Sequence, residues 1–223
     1  MTKDKVPLVQ AFVFDLDGTL IDSKMDLVFS VNAMLHDIGR ETLPADTVAS
    51  YVGHGAPKLV ASALGPSAGE AERQKALQIF LAHYEAHKLD ATRAYASVEQ
   101  GLAAIAKYPM AVLTNKPAKM SEEILDGLGL TKYFRRIYGG DSFAKKKPDP
   151  TGAQSILQEL GVMPGEAAMV GDSDVDIQTA RNAGMVAVGV TYGFGKHDTV
   201  LEPADVYVDS LLQLKSLTNG SAC

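Results

Sequence analysis

Apolar residues follow two rhythms along this chain. Five short, continuous, β-rich runs stand out: "LVQAFVF" (8–14), "MAVLT" (110–114), "AAMVG" (167–171), "MVAVGV" (185–190) and "DVYV" (205–208). Continuous rather than alternating apolarity is what strands buried on both faces show, as in a parallel sheet. Helical patterns lie between several of them. "SVEQGLAAIAKY" opens with Ser97 and Gln100 at capping-box spacing, and "KMSEEILDGLGL" places Met120, Ile124, Leu125 and Leu128 on one side. Strand–helix alternation of this kind predicts an α/β fold with a doubly wound, Rossmann-like parallel sheet.

Residues 21–94 keep a different rhythm. "LVFSVNAMLHDIG" carries Leu27, Val31, Met34, Leu35 and Ile38 at helical spacing and stops at Gly39. "KLVASALG" and "RQKALQIFLAHYEAH" repeat the pattern, the second with Leu77, Phe80, Leu81 and Tyr84 on one stripe. No comparable strand candidate interrupts them. The expectation is an all-helical domain (21–94) inserted into a core made of residues 1–20 and 95–223, with joints near 19–24 and 91–97. The apolar stripes read as helix-packing faces.

Composition narrows the class. Hydrophobic content of 46% and charged content of 22% over 223 residues suit a soluble globular protein. A formal net charge of −6 argues against a sequence-independent grip on nucleic acid. The single cysteine, Cys223, allows no intrachain disulfide. The opening "MTKDKVPLVQ" lacks a signal-peptide apolar run, and no stretch is long enough to span a membrane. The expectation is a cytoplasmic protein without a membrane partner, its monomeric or homodimeric state left open.

Candidate chemistry collects just past the ends of the predicted strands. Asp15, Asp17 and Thr19 follow the first, Thr114, Asn115 and Lys116 the second, and Asp172, Ser173 and Asp176 the third; "AKKKPDP" (144–150) precedes a helix starting near Thr151. In open parallel sheets that rim is where ligands bind. Each cluster alone reads as a turn, a solvated face or a helix cap. Together they bring carboxylates onto one rim, where they repel unless a cation joins them. Oxygen ligands without His or Cys favour a hard ion such as Mg²⁺.

"DLDGTLIDS", "LTNK", "KKPDP" and "VGDSDVDIQTARNAG" resemble, in order, the four motifs of the haloacid dehalogenase superfamily, from Val9 to about Val190. Within it the chain is most similar to the phosphoglycolate phosphatase-like subgroup, whose cap segment "YVGHGAPKLVASALG" resembles. One departure is local: where many relatives read Arg-x-Tyr-Pro-Gly on entering the core, this chain reads "TRAYASVEQG".

The resemblance implies a Mg²⁺-dependent phosphatase for a small phosphorylated metabolite, with 2-phosphoglycolate as the best single substrate. It implies Asp15 as nucleophile and Asp17 as acid and base. Asp15, the Asp17 backbone carbonyl and Asp172 would hold Mg²⁺, with Asp176 either behind them or a direct ligand. Thr114, Asn115 and Lys147 would bind the phosphoryl group, and Mg²⁺ and Lys147 would balance both aspartates. Lys145 and Lys146 are expected in solvent, and Ser173 is expected to orient a carboxylate or cap a helix. Gly53, His54, Gly55 and Lys58 form a loop that could meet a substrate carboxylate. Two alternatives stay open: a β-phosphoglucomutase-like phosphosugar mutase, and a non-enzymatic protein binding a phosphorylated metabolite.

Overall fold

The computed structural model describes residues 8–195 and 203–218; Cys223 and the first seven residues lie outside the described residues. In chain order the elements are β1 (Ala11–Phe14), β2 (Ile21–Asp22), α1 (Lys24–Asp37), α2 (Ala45–Ala49), α3 (Ala56–Leu64), α4 (Glu70–His87), β3 (Arg93–Ala94), α5 (Val98–Ala104), β4 (Met110–Leu113), α6 (Ala118–Gly127), β5 (Arg136–Tyr138), α7 (Thr151–Leu160), β6 (Ala167–Gly171), α8 (Asp174–Ala183), β7 (Val186–Val190) and β8 (Val206–Val208).

Six strands form a parallel sheet in the order β5-β4-β1-β6-β7-β8. The chain winds outward from β1 in both directions, so β1 lies between β4 and β6, with Phe12 opposite Met110 and Ala168. Both faces of β1, β4, β6 and β7 are covered, which is why these strands are apolar throughout. Val13, Ala111, Met169 and Ala187 pack against Ile156 and Leu157 of α7 and Ile177 and Ala180 of α8. Phe12, Phe14, Val112 and Val170 share the opposite layer with Leu102 of α5 and Ile124 and Leu125 of α6.

Three local expectations are corrected. The first strand starts at Ala11 rather than Leu8, because the Val9 and Gln10 N–H groups donate to Leu217 and Glu166 carbonyls at 2.7 Å each. Strand β5 was not expected: it is the three-residue edge segment Arg136–Tyr138, half-exposed and without an apolar run. The Ser97 capping box does not form. Ser97 sits at φ +71° in the left-handed region with no side-chain bond to the helix, and its Oγ accepts from Ser210 Oγ at 2.9 Å.

Between β2 and β3 the described chain is helical. These two short strands pair antiparallel, Ile21 with Ala94 and Asp22 with Arg93, where the chain leaves and re-enters the parallel-sheet region. Helices α1 and α4 pack through Val31, Met34, Phe80 and Tyr84, all buried, and the Phe80 and Tyr84 rings stack with centroids 5.7 Å apart. On α4 the fully buried row is Ala76, Phe80 and Tyr84, with Leu77 and Leu81 at its flank. Beside the crossing, the buried Asp26 carboxylate accepts from the N–H groups of Ala91 (2.8 Å) and Thr92 (2.8 Å) and from the Thr92 hydroxyl (2.7 Å).

Candidate active site

Strand β1 delivers Asp15 to the sheet rim: its N–H donates to the Val170 carbonyl at 2.9 Å, one step past the end of the strand. The chain then turns tightly, with Leu20 and Ile21 both donating to the Leu16 carbonyl. Gly18 sits at φ +80°, and a side chain there would overlap the Asp172 carboxylate, so the turn requires glycine on two counts.

Asp15 lies among charges. Lys147 Nζ is 2.8 Å from Asp15 Oδ1 and 2.6 Å from Asp176 Oδ1, and the ammonium is almost wholly buried. Asp176 is fixed in turn by the N–H (3.1 Å) and hydroxyl (2.6 Å) of Ser173, which opens α8. Asp172 accepts from the Gly195 N–H at 2.6 Å. Burial pushes the Asp15 carboxyl up to about 6, against the pull of Lys147 and with Asp176 adding to the rise. Asp172 is held well above the ordinary carboxylate range, first by burial and then by Asp176 and Asp15.

Asp17 has a different cation from the expected one. Lys116 Nζ donates to Asp17 Oδ1 at 2.8 Å and Oδ2 at 3.0 Å, and Ser23 Oγ donates to Oδ1 at 2.5 Å. Lys147 therefore balances Asp15, while Lys116 balances Asp17. Lys116 also donates to the Tyr84 hydroxyl at 2.6 Å and lies 4.4 Å from the centre of that ring. Burial alone would lower the Lys116 pKa, but Asp17 and Tyr84 outweigh it and raise it. Burial pushes the Tyr84 phenol up to about 12. The strand-end position of Lys116 was a sequence signal for this pairing. Tyr84 was legible only as one member of a packing stripe.

The other predicted residues divide. Thr114 is buried at the end of β4. The Asn115 side chain donates to the carbonyls of Gly53 (2.9 Å) and Lys147 (3.0 Å) and accepts from the Lys147 N–H (2.9 Å). A narrow cavity of about 40 Å³ opens between the helical segment and the rim, lined by Asp15, Asp17, Thr114, Lys116, Gly53 and Gly55 together with apolar side chains. His54 does not line it. It is exposed and lies over a separate depression beside Ser173 and Val175. Lys58, Lys145 and Lys146 are exposed, whereas Lys147 is buried.

Asp15, Asp172 and Asp176 each offer a carboxylate oxygen within 4.8 Å of the others. Three carboxylates around one ammonium leave a net negative, all-oxygen cluster. Asp15 Oδ1 is buried and, although close to Lys147, lies outside hydrogen-bond alignment. That donor set fits a hard divalent cation such as Mg²⁺.

A family model described as haloacid dehalogenase-like hydrolase matches residues 12–190. The chain is 36% identical over 219 residues to a protein of Colwellia psychrerythraea named phosphoglycolate phosphatase, covering 92% of this chain and 97% of that one. It is 43% identical over 193 residues to the protein of that name from Neisseria meningitidis, covering 84% and 82%. A crystal structure of a predicted phosphoglycolate phosphatase from Haemophilus somnus superposes with a TM-score of 0.88 at 30% identity, covering 97% of this chain and 99% of that one. Among the described residues no helix is long and apolar enough to cross a membrane.

Proposed function

The chain belongs to the haloacid dehalogenase-like hydrolase family, and from that premise we propose that it is a Mg²⁺-dependent phosphatase that hydrolyses a small phosphomonoester, 2-phosphoglycolate first among them. One observation carries the reading: Asp15 stands at the sheet rim with Lys147 beside it and the Lys116-bound Asp17 lining the same cavity. The names of the relatives support the substrate.

In the proposed reaction an Asp15 carboxylate oxygen attacks phosphorus, the ester P–O bond breaks, and an aspartyl-phosphate forms. In the substrate-bound state Asp17 carries a proton, which it gives to the departing alkoxide, and it then takes one from the water that hydrolyses the acyl phosphate. Lys147, the Thr114 hydroxyl and the Asn115 N–H hold the phosphoryl oxygens, stabilising charge where it develops. Asp176 keeps Lys147 in place. Asp15, the Asp17 carbonyl and Asp172 would hold Mg²⁺, with Asp176 alongside; when bound, the ion neutralises charge between the nucleophile and the incoming phosphate. The helical segment 21–94 acts as a cap that keeps bulk water from the acyl phosphate. The cavity's small volume favours a compact substrate.

The test is phosphate release from 2-phosphoglycolate with and without Mg²⁺, in wild type and Asp15→Asn. Mg²⁺-dependent release that Asp15→Asn abolishes is expected. Comparable release by Asp15→Asn overturns the nucleophile assignment, and activity seen only with a sugar bisphosphate points to the mutase instead.

A further inference from the structure

The cavity wall away from Asp15 is largely apolar, formed by side chains such as Leu27, Leu59, Leu81 and Met120. A second anionic group on a substrate entering there would lose its hydration, which is costly without a partner. Among the described residues lining the cavity, Lys116 is the one cation. Its side chain is 5% exposed, and its ammonium is held from two sides, by Asp17 of the β1 loop and by Tyr84 of α4.

The Tyr84 hydroxyl is the acceptor in its bond with Lys116, so its own proton remains to be given. Its pKa of about 12 keeps that proton in place at neutral pH. The ring is stacked on Phe80 and buried, so the hydroxyl is presented from a fixed position rather than from a flexible side chain. An ammonium and a phenol side by side can serve the two oxygens of one carboxylate, each receiving a hydrogen bond from a different donor. An alkyl substrate end, which has no acceptor, receives neither benefit.

On the phosphatase reading above, we propose that Lys116 and Tyr84 form the subsite that recognises the carboxylate of a phosphorylated hydroxy acid, and so set substrate class. Lys116 comes from the strand layer and Tyr84 from the helical segment, so the subsite is complete only when α4 lies over the rim. A carboxylate arriving there competes with Asp17 for the ammonium. Phosphomonoesters of the same size without a carboxylate leave the Lys116–Asp17 pair as it is.

The test compares 2-phosphoglycolate with ethyl phosphate, which replaces the carboxylate by a methyl group. The readout is the ratio of their kcat/KM values in wild type, Lys116→Met and Tyr84→Phe. Wild type is expected to favour phosphoglycolate. Lys116→Met should cut that preference at least tenfold, mainly through KM, and Tyr84→Phe severalfold, with Lys116→Arg recovering part of the loss. Calorimetric titration of both esters into Asp15→Asn protein carrying the same changes gives the preference without turnover.

A parallel fall on both esters, leaving the ratio and the binding preference unchanged, would falsify the subsite: Lys116 would then act only through Asp17. Failure of the underlying phosphatase reading looks different, because wild type would then release phosphate from neither ester. Tyr84→Phe keeps the packed ring, so the question is answered even where Lys116→Met fails to fold.

Discussion

Asn115 Nδ2 donates to the Gly53 carbonyl at 2.9 Å, a bond from the end of β4 to the loop that precedes α3. The same side chain holds both backbone groups of Lys147. One amide therefore sets the spacing between the helical segment, the strand rim and the loop carrying the buried ammonium.

Asn115→Ala removes all three bonds and leaves a buried Lys147 N–H unpaired, a loss of about 1–3 kcal/mol. The urea midpoint is expected to drop accordingly, and kcat/KM to fall more than tenfold because Lys147 loses its seat. Phosphate release within twofold of wild type would show that Lys147 is placed by its ion pairs alone.

Asp26 tests stability apart from chemistry. Its carboxylate satisfies Ala91 and Thr92 where the chain returns from the helices, and it lines no part of the cavity. Asp26→Ala orphans those buried donors and should cost about 3 kcal/mol, or roughly 6–12 °C in Tm for a chain of this size. Calorimetry should register that loss while activity well below the new Tm stays near wild type. An unchanged Tm would mean that water replaces the carboxylate.

The strands that carry the site were legible because each lies between two covered faces and so is apolar along its whole length. Strand β5 was not, since at a sheet edge Arg136 needs no burial. The β2–β3 pair was not either, because two residues carry no periodicity. Asp15, Lys147 and Asp172 were legible as ordered motifs, but the division of cations was not. Which lysine meets which aspartate depends on how far apart β1, β4 and the 144–150 loop lie, and that is a property of strand order. His54 shows the same limit, because the loop's own sequence does not say which side of the rim its imidazole overhangs.

Ser97 adopts φ +71°, a conformation glycine reaches without a Cβ clash. Glycine would relieve that strain, against the added freedom of an unfolded glycine and the loss of the part-buried hydroxyl bond from Ser210. Ser97→Gly should raise the urea midpoint by an amount equivalent to about 0.5 kcal/mol. A lower midpoint would mean that the Ser210 bond contributes more than the backbone strain costs.

Asp172 gives the sharpest separation of metal from fold. Its folded pKa lies well above the ordinary carboxylate value because it is buried beside Asp176 and Asp15. For an acid shifted upward, the folded state binds the proton more tightly than the unfolded one, so ionisation at neutral pH costs stability. Asn removes that charge and can still accept from the Gly195 N–H. Metal-free Asp172→Asn should therefore melt higher than metal-free wild type. Added Mg²⁺ should reverse the order. Wild type gains about 2.7 kcal/mol at a hundredfold excess over Kd, and the variant, short of one ligand, gains far less. Thermal melts of both proteins across a Mg²⁺ series decide the matter. Equal Mg²⁺ shifts in the two proteins would remove Asp172 from the metal site, and a lower metal-free Tm for the variant would mean that its carboxylate is stabilising where it lies.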